Sequence, residues 1–79
     1  AGPNPTTGEF EIIFREPYES IIVEIFTASG KLIWKKESEK FAGRALRISE
    51  LQTREQGLYI VRITTPAATM VHKIIKIRN

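Results

Sequence analysis

The chain has 79 residues, a net charge of +3 and no cysteine. A chain this short forms one small domain and buries only about 60–65% of the surface that its unfolded form exposes. Without cysteine it has neither disulfides nor thiolate metal sites. Its apolar runs are far shorter than the about 20 residues that cross a bilayer, and it shows no signal peptide. If the protein is exported, we expect a longer precursor to carry the first targeting signal.

Charge is divided unevenly along the chain. Residues 1–40 contain five Lys or Arg and seven Glu, a net of −2, and residues 41–79 contain seven and two, a net of +5, which together give +3. A basic half is typical of a face that meets an anionic partner, but solvent-facing strand positions rich in Lys and Arg produce the same imbalance. Because Glu is interspersed and the net charge is small, nucleic-acid binding is not predicted.

Residues 1–8, AGPNPTTG, predict a junction between a linker and the first strand, with a short edge strand of its own. Prolines are confined to the edges of sheets and to the starts of strands. Pro5 fixes its own φ angle and biases Asn4 toward extended backbone, and Gly8 lets the chain turn into the next strand. We expect residues 9–79 to form a single domain.

Beyond the junction, apolar and polar residues alternate with a period of two, as in half-buried strands. Short turns separate the runs, and Gly30 supplies the positive φ of a tight hairpin. Runs of this kind with turn signals about every 8–12 residues predict an all-β fold, an immunoglobulin-like antiparallel β-sandwich of about six or seven strands. The six predicted strands are EFEIIFR (9–15), SIIVEIFT (20–27), KLIWKKE (31–37), ALRI (45–48), GLYIVRITT (57–65) and TMVHKIIKIRN (69–79).

Strand phase predicts which side chains form the core. The inward sets include Ile21, Val23 and Ile25 in the second run, and Tyr59, Val61 and Ile63 in the fifth. In the third run, Leu32 and Trp34 are predicted to face the core, opposite to Lys31, Ile33 and Lys35. Tyr59 follows a glycine and is predicted to be a corner tyrosine, whose hydroxyl connects a loop to the framework.

The residues that carry enzyme chemistry are missing. The chain contains no Asp, and its one histidine, His72, has no acidic neighbour in sequence, so a Ser–His–Asp arrangement is impossible. One His and scattered Glu provide no metal-ligand spacing, and no glycine-rich phosphate loop is present. The sequence therefore predicts no enzyme, no cofactor, no metal site and no small-molecule substrate.

Three motifs together resemble a known family. They are PNPTTGEF (3–10), VEIFTASGKLIWKKE (23–37) and the pair GLYIVRI (57–63) and HKIIKI (72–77). Their order and spacing are similar to those of the C-terminal sorting domain of the type IX secretion system, also called the Por secretion system sorting signal, type A. Two departures stand out. Thr27 occupies a turn position where the family usually has Asp, and the loop between Leu51 and Gly57 is longer than usual.

The resemblance implies a sorting-signal domain that is covalently linked to an N-terminal cargo protein. In the family, cargo crosses the inner membrane and the periplasm, and the outer-membrane translocon then recognises the sorting domain. A sortase-like surface protease commonly removes the domain and attaches the cargo to anionic lipopolysaccharide. The cargo thus ends on the cell surface or is secreted.

The resemblance also assigns residues. The family motif positions before residue 57 are Pro3, Asn4, Pro5, Thr6, Gly8, Gly30 and Lys31. The positions predicted for recognition by the translocon are Gly57, Tyr59, Lys73, Ile74, Ile75 and Lys76. Lys73 and Lys76 are predicted to lie on a solvent-facing side of the last strand. The alternative hypothesis is a carbohydrate-binding or adhesive accessory β-sandwich, which would expose a flat aromatic patch centred on Trp34 or Tyr18.

Overall fold

A computed structural model of the chain describes residues 4–14, 18–39 and 45–77. These residues form strands and turns, and none of them lies in a helix that could cross a membrane. The prediction of an all-β, immunoglobulin-like sandwich is confirmed. The strands are β1 (Asn4–Thr6), β2 (Phe10–Ile13), β3 (Ser20–Thr27), β4 (Leu32–Glu39), β5 (Ala45–Ile48), β6 (Gly57–Thr64) and β7 (Thr69–Lys76).

The strands form two sheets of unequal size. The large sheet has five strands in the order β1-β7-β6-β3-β4, and the small sheet pairs β2 with β5. All strand pairs are antiparallel apart from β1, which runs parallel to β7. The short β1 therefore closes one edge of the large sheet, and β4 forms the other edge.

The core lies between the sheets and follows the period of two. In β3, Ile21, Val23 and Ile25 are fully buried, and Val61 and Ile63 of β6 pack beside them. Phe14, Ile48 and Leu51 cover this layer from the side of the small sheet. Burying each such side chain stabilises the fold by about 1.5–3 kcal/mol before the entropy cost of ordering it. The predicted phases of residues 20–27 and 57–65 are confirmed.

The phase predicted for residues 31–37 is confirmed for Trp34 and wrong for Leu32 and Ile33, because a β-bulge interrupts β4. Ile25 pairs with Trp34 and Phe26 pairs with Leu32, so one extra residue, Ile33, lies between them. An extra residue reverses the alternation of faces along a strand. Leu32 consequently lies on the outer face, whereas Ile33 and Trp34 both pack partly buried against the core.

Candidate recognition site at one end of the large sheet

Motif segments that are far apart in the sequence lie side by side at one end of the large sheet. Thr6, Lys76 and Gly57 form one row across β1, β7 and β6. The turn that contains Gly30 and Lys31 follows β3 at the same end, since Thr27 pairs with Tyr59. Pro3 lies outside the described residues. We call this region the motif end, and its members are Asn4, Pro5, Thr6, Gly8, Gly30, Lys31, Gly57, Tyr59, Ile74, Ile75 and Lys76.

Thr6 links β1 to its neighbours at the motif end. Its buried Oγ1 accepts a hydrogen bond from Gly8 N at 3.1 Å and donates one to the carbonyl of Glu9 at 2.8 Å. Its own carbonyl accepts from the backbone N–H of Ile77 at 2.7 Å. These bonds hold β1 on β7 and direct the chain toward β2.

Gly8 lies against the loop of residues 49–56. Its φ is +116°, and a Cβ at this position would lie 2.5 Å from the Cα of Gln52. Only glycine combines this backbone conformation with so close an approach to another backbone. The loop is thus seated directly on the turn that follows β1.

Tyr59 and Lys76 hold the same loop from its other side. The Tyr59 hydroxyl donates to the carbonyl of Glu55 at 2.7 Å, which confirms the predicted corner tyrosine. The Lys76 ammonium donates to the carbonyl of Arg54 at 3.0 Å, and Lys76 is only 6% exposed. The prediction that Lys76 faces solvent is therefore wrong. Lys76 has the same strand phase as the buried Ile74, and the long loop covers it.

The six residues predicted for recognition fall into two groups. Tyr59, Ile74 and Lys76 are buried, and their side chains maintain the fold. Lys73 and Ile75 have the opposite phase in β7 and are exposed on the outer face of the large sheet. Gly57 is exposed as well, with a φ of +151°. Lys73 takes part in none of the ion pairs among the described residues.

The outer face of the large sheet contains exposed apolar residues, and of these only Ile75 was predicted to take part in recognition. Leu32, Leu58, Val71 and Ile75 are 45%, 39%, 58% and 38% exposed. Grouped exposed hydrophobic residues indicate an interaction surface. The sequence contains a signal for this surface, since the runs 57–65 and 69–79 have apolar residues on both faces of the strand. A strand with one face toward solvent usually has polar residues on that face.

A charged group lies within this apolar face. Arg62 forms an ion pair with Glu24 at 2.9 Å, and its guanidinium lies 4.9 Å from the centre of the Phe26 ring. Arg62 and Glu24 are paired across β6 and β3, so the ion pair is set by the strand register. On β6 and β3 the outer face therefore combines apolar side chains with a compensated ion pair, and Lys73 is exposed on the same face of β7.

The described residues offer little for binding a metal ion or a carbohydrate. No group of His, Cys, Asp or Glu among the described residues is arranged to hold a metal ion. Tyr18 stacks edge-on against Phe14 at 5.7 Å, and Trp34 packs against the core, so neither is part of a flat exposed patch. No geometric feature of the described residues favours the carbohydrate-binding alternative.

A family of known proteins matches most of the chain. The family described as "Secretion system C-terminal sorting domain" matches residues 3–77. No curated protein and no solved structure matches the chain. The matched span includes all seven strands and every motif residue at the motif end.

Proposed function

The chain belongs to the family of type IX secretion C-terminal sorting domains, and we propose that it carries a covalent N-terminal cargo protein through the outer-membrane translocon as a folded address. Membership of this family implies export to the cell surface or secretion, and interaction with the type IX machinery. A sorting domain is not itself an enzyme. The match over residues 3–77 is the observation that carries the proposal.

We propose that the translocon recognises the outer face of β6 and β7. Lys73 and Ile75 are exposed there beside Leu58 and Val71, so a partner can contact them without unfolding the domain. Gly57 lies at the start of β6, where it is open to a partner as well. In this proposal Tyr59, Ile74 and Lys76 act indirectly, because they hold the strands and the loop that shape the surface.

The later steps belong to the same proposal. A sortase-like surface protease removes the domain and attaches the cargo to anionic lipopolysaccharide, and cargo passes through the periplasm on its way. The position of β1 at the edge of the large sheet supports cleavage upstream of the sandwich. Mass spectrometry of the secreted cargo should find its new terminus before residue 9. A new terminus within residues 9–79 would contradict cleavage upstream of the sandwich.

A reporter fusion tests the sorting function directly. The 79-residue chain is fused to the C-terminus of a periplasmic reporter and expressed in a host with an intact translocon. We expect the reporter at the surface or in the medium, and in the periplasm when the translocon is deleted. Retention in the periplasm of the intact host would overturn the proposal.

A further inference from the structure

Among the described residues, one edge of β7 is covered along only part of its length. β1 pairs with Ile74–Lys76, and in the described part of the chain no strand lies beside Thr69–Lys73 on this side. The N–H of Ile77 points across this edge to Thr6. Because backbone groups alternate along a strand, the N–H groups of Val71 and Lys73 point the same way, as does the carbonyl of Val71. We call Thr69–Lys73 the free edge.

The strand β1 differs from the free edge in its capacity for pairing. Thr6 turns its carbonyl toward β7, so the neighbouring Pro5 has its backbone nitrogen on the opposite, outer side. Proline has no N–H, and a strand with proline at an outward position offers a poor template for another strand. The part of this edge that β1 covers is thus blocked, and none of the described residues blocks the free edge in this way.

A cavity lies directly beside the free edge. It has a volume of about 270 Å³ and opens between the sheets. Its lining combines the apolar residues Phe10, Ile12, Ile13, Val61 and Ile74 with the polar residues Thr6, Glu9, Glu11 and His72. The cavity is larger than the apolar cavity of about 150 Å³ that holds a benzene molecule. In a strand added to β7, every second side chain would point to the inner face and into this cavity. The other side chains would lie on the outer face beside Lys73.

We propose that the free edge accepts an extended segment of a protein of the export apparatus as an added strand. This rests on the proposed sorting function and names the chemistry of the partner. Main-chain hydrogen bonds to Val71 and Lys73 give the affinity, and the cavity and the Lys73 ammonium give the specificity. The segment has apolar residues toward the cavity and acidic residues toward Lys73, which has no ion-pair partner among the described residues.

The charge of the chain favours such a partner over a second copy. Each copy has a net charge of +3, so two copies repel each other when their free edges approach. An acidic strand removes this repulsion. A second copy of the chain is therefore an outcome that the tests must detect, and it would contradict the proposal.

The first test blocks the free edge with proline. V71P removes an N–H that points away from β6, so the sheet should keep its own hydrogen bonds. The matched control is E37P, since Glu37 alternates with Trp34 and Lys36 and has its N–H on the outer edge of β4. Both variants are fused to the same reporter as the wild-type chain, and their melting temperatures are measured. We expect similar melting temperatures, export of E37P at the wild-type level, and at least a tenfold loss of export for V71P.

The outcomes separate the two proposals. Export of the wild type and of V71P alike would overturn strand addition and leave sorting intact. Failure of the wild type to be exported would overturn the sorting function. Strand addition would then be decided by a measurement of binding in solution. The second test measures that binding with the wild-type chain, so it is unaffected if a proline variant fails to fold.

The second test uses a capped octapeptide of alternating leucine and glutamate, with a leucine–lysine octapeptide as control. Hydrogen exchange of the 79-residue chain is followed by NMR. We expect the Leu-Glu peptide to slow exchange of the Val71 and Lys73 amides at least tenfold and to shift the signals of Ile12 and Val61. The Leu-Lys peptide should do neither. Unchanged exchange with the Leu-Glu peptide would overturn the proposal. So would protection that appears without peptide and grows with protein concentration, because it indicates a second copy.

Discussion

The two edges of the large sheet are protected in different ways. No described strand lies beside β4 on its outer side, and four of its eight residues, Lys35, Lys36, Glu37 and Glu39, are charged. Charged side chains on an edge strand discourage pairing with another sheet. At the opposite edge, the short β1 with Pro5 covers only the end of β7, and the free edge beside it has one charged residue, Lys73. This difference supports the proposal that a partner strand pairs at one place along β7 and not along β4.

The largest loss of stability is expected from a substitution at Gly8, where the turn after β1 contacts the loop of residues 49–56. Gly8→Ala would place a methyl group 2.5 Å from the Gln52 Cα in a conformation that L-residues avoid. Backbone strain of about 1–3 kcal/mol and overpacking of similar size should together lower the free energy of unfolding by about 3 kcal/mol. Urea unfolding followed by tryptophan fluorescence measures this change.

The control for Gly8 lies in the turn before the other edge strand. Gly30 also has a positive φ, of +93°, but a Cβ there would meet nothing within 4 Å. Gly30→Ala should therefore cost only the backbone strain, about 1 kcal/mol. If the two variants lost equal stability, the close contact between Gly8 and the loop would have no energetic importance.

The next effect distinguishes two lysines of the same strand. Lys76→Glu replaces a buried ammonium with a carboxylate that faces the carbonyl of Arg54. Both groups are hydrogen-bond acceptors, so no hydrogen bond can form between them. A buried charge without a partner is costly, so we expect a loss of about 3 kcal/mol. Lys73→Glu on the outer face should change stability by less than about 0.5 kcal/mol.

Thermal and urea unfolding of both lysine variants checks this contrast, and the reporter fusion adds a second measurement. Lys73→Glu should fold normally and export poorly, because Lys73 is part of the proposed contact surface. A folded, fully exported Lys73→Glu variant would remove Lys73 from that surface. A Lys76→Glu variant as stable as the wild type would show that the bond to the loop is dispensable.

Some of these features follow from the sequence and others do not. The period of two predicted the buried faces of β3 and β6. A tyrosine shortly after a glycine at a strand start predicted that the Tyr59 hydroxyl would bond to a loop, and the structure shows this bond at the carbonyl of Glu55. These features depend on residues that are close in sequence. The family resemblance was likewise visible in the motifs and is confirmed by the match over residues 3–77.

The features that were missed depend on pairing between distant segments. The bulge at Ile33 appears only when β4 is set against β3, and the burial of Lys76 depends on a loop 22 residues earlier in the chain. The parallel pairing of β1 with β7 joins residues near both ends of the chain. The cavity beside the free edge is set by the spacing of the two sheets, for which a single sequence contains no local signal.

A smaller effect is expected at the corner tyrosine. Tyr59→Phe removes the hydroxyl that donates to the Glu55 carbonyl at 2.7 Å but keeps the buried ring. The net contribution of one such hydrogen bond is about 1 kcal/mol. We expect a loss of that size in urea unfolding, together with faster hydrogen exchange in residues 49–56. Unchanged exchange in this loop would indicate that Lys76 and Gly8 hold it without the tyrosine.

The smallest effect sharpens the comparison at the β4 edge, where Thr27 begins the turn into that strand. Its Oγ1 accepts from the backbone N–H of Lys31 at 3.1 Å and lies 2.9 Å from the Ser29 hydroxyl. Thr27→Ala should cost about 0.5–1 kcal/mol, because the turn loses this acceptor. Thr27→Asp restores an acceptor and places a carboxylate near Lys31, so its free energy of unfolding should stay within about 0.5 kcal/mol of the wild type. If both variants lost the same stability, the Thr27 hydroxyl would contribute through its packing in the turn. Its role as a hydrogen-bond acceptor, which Asp could replace, would then be unimportant.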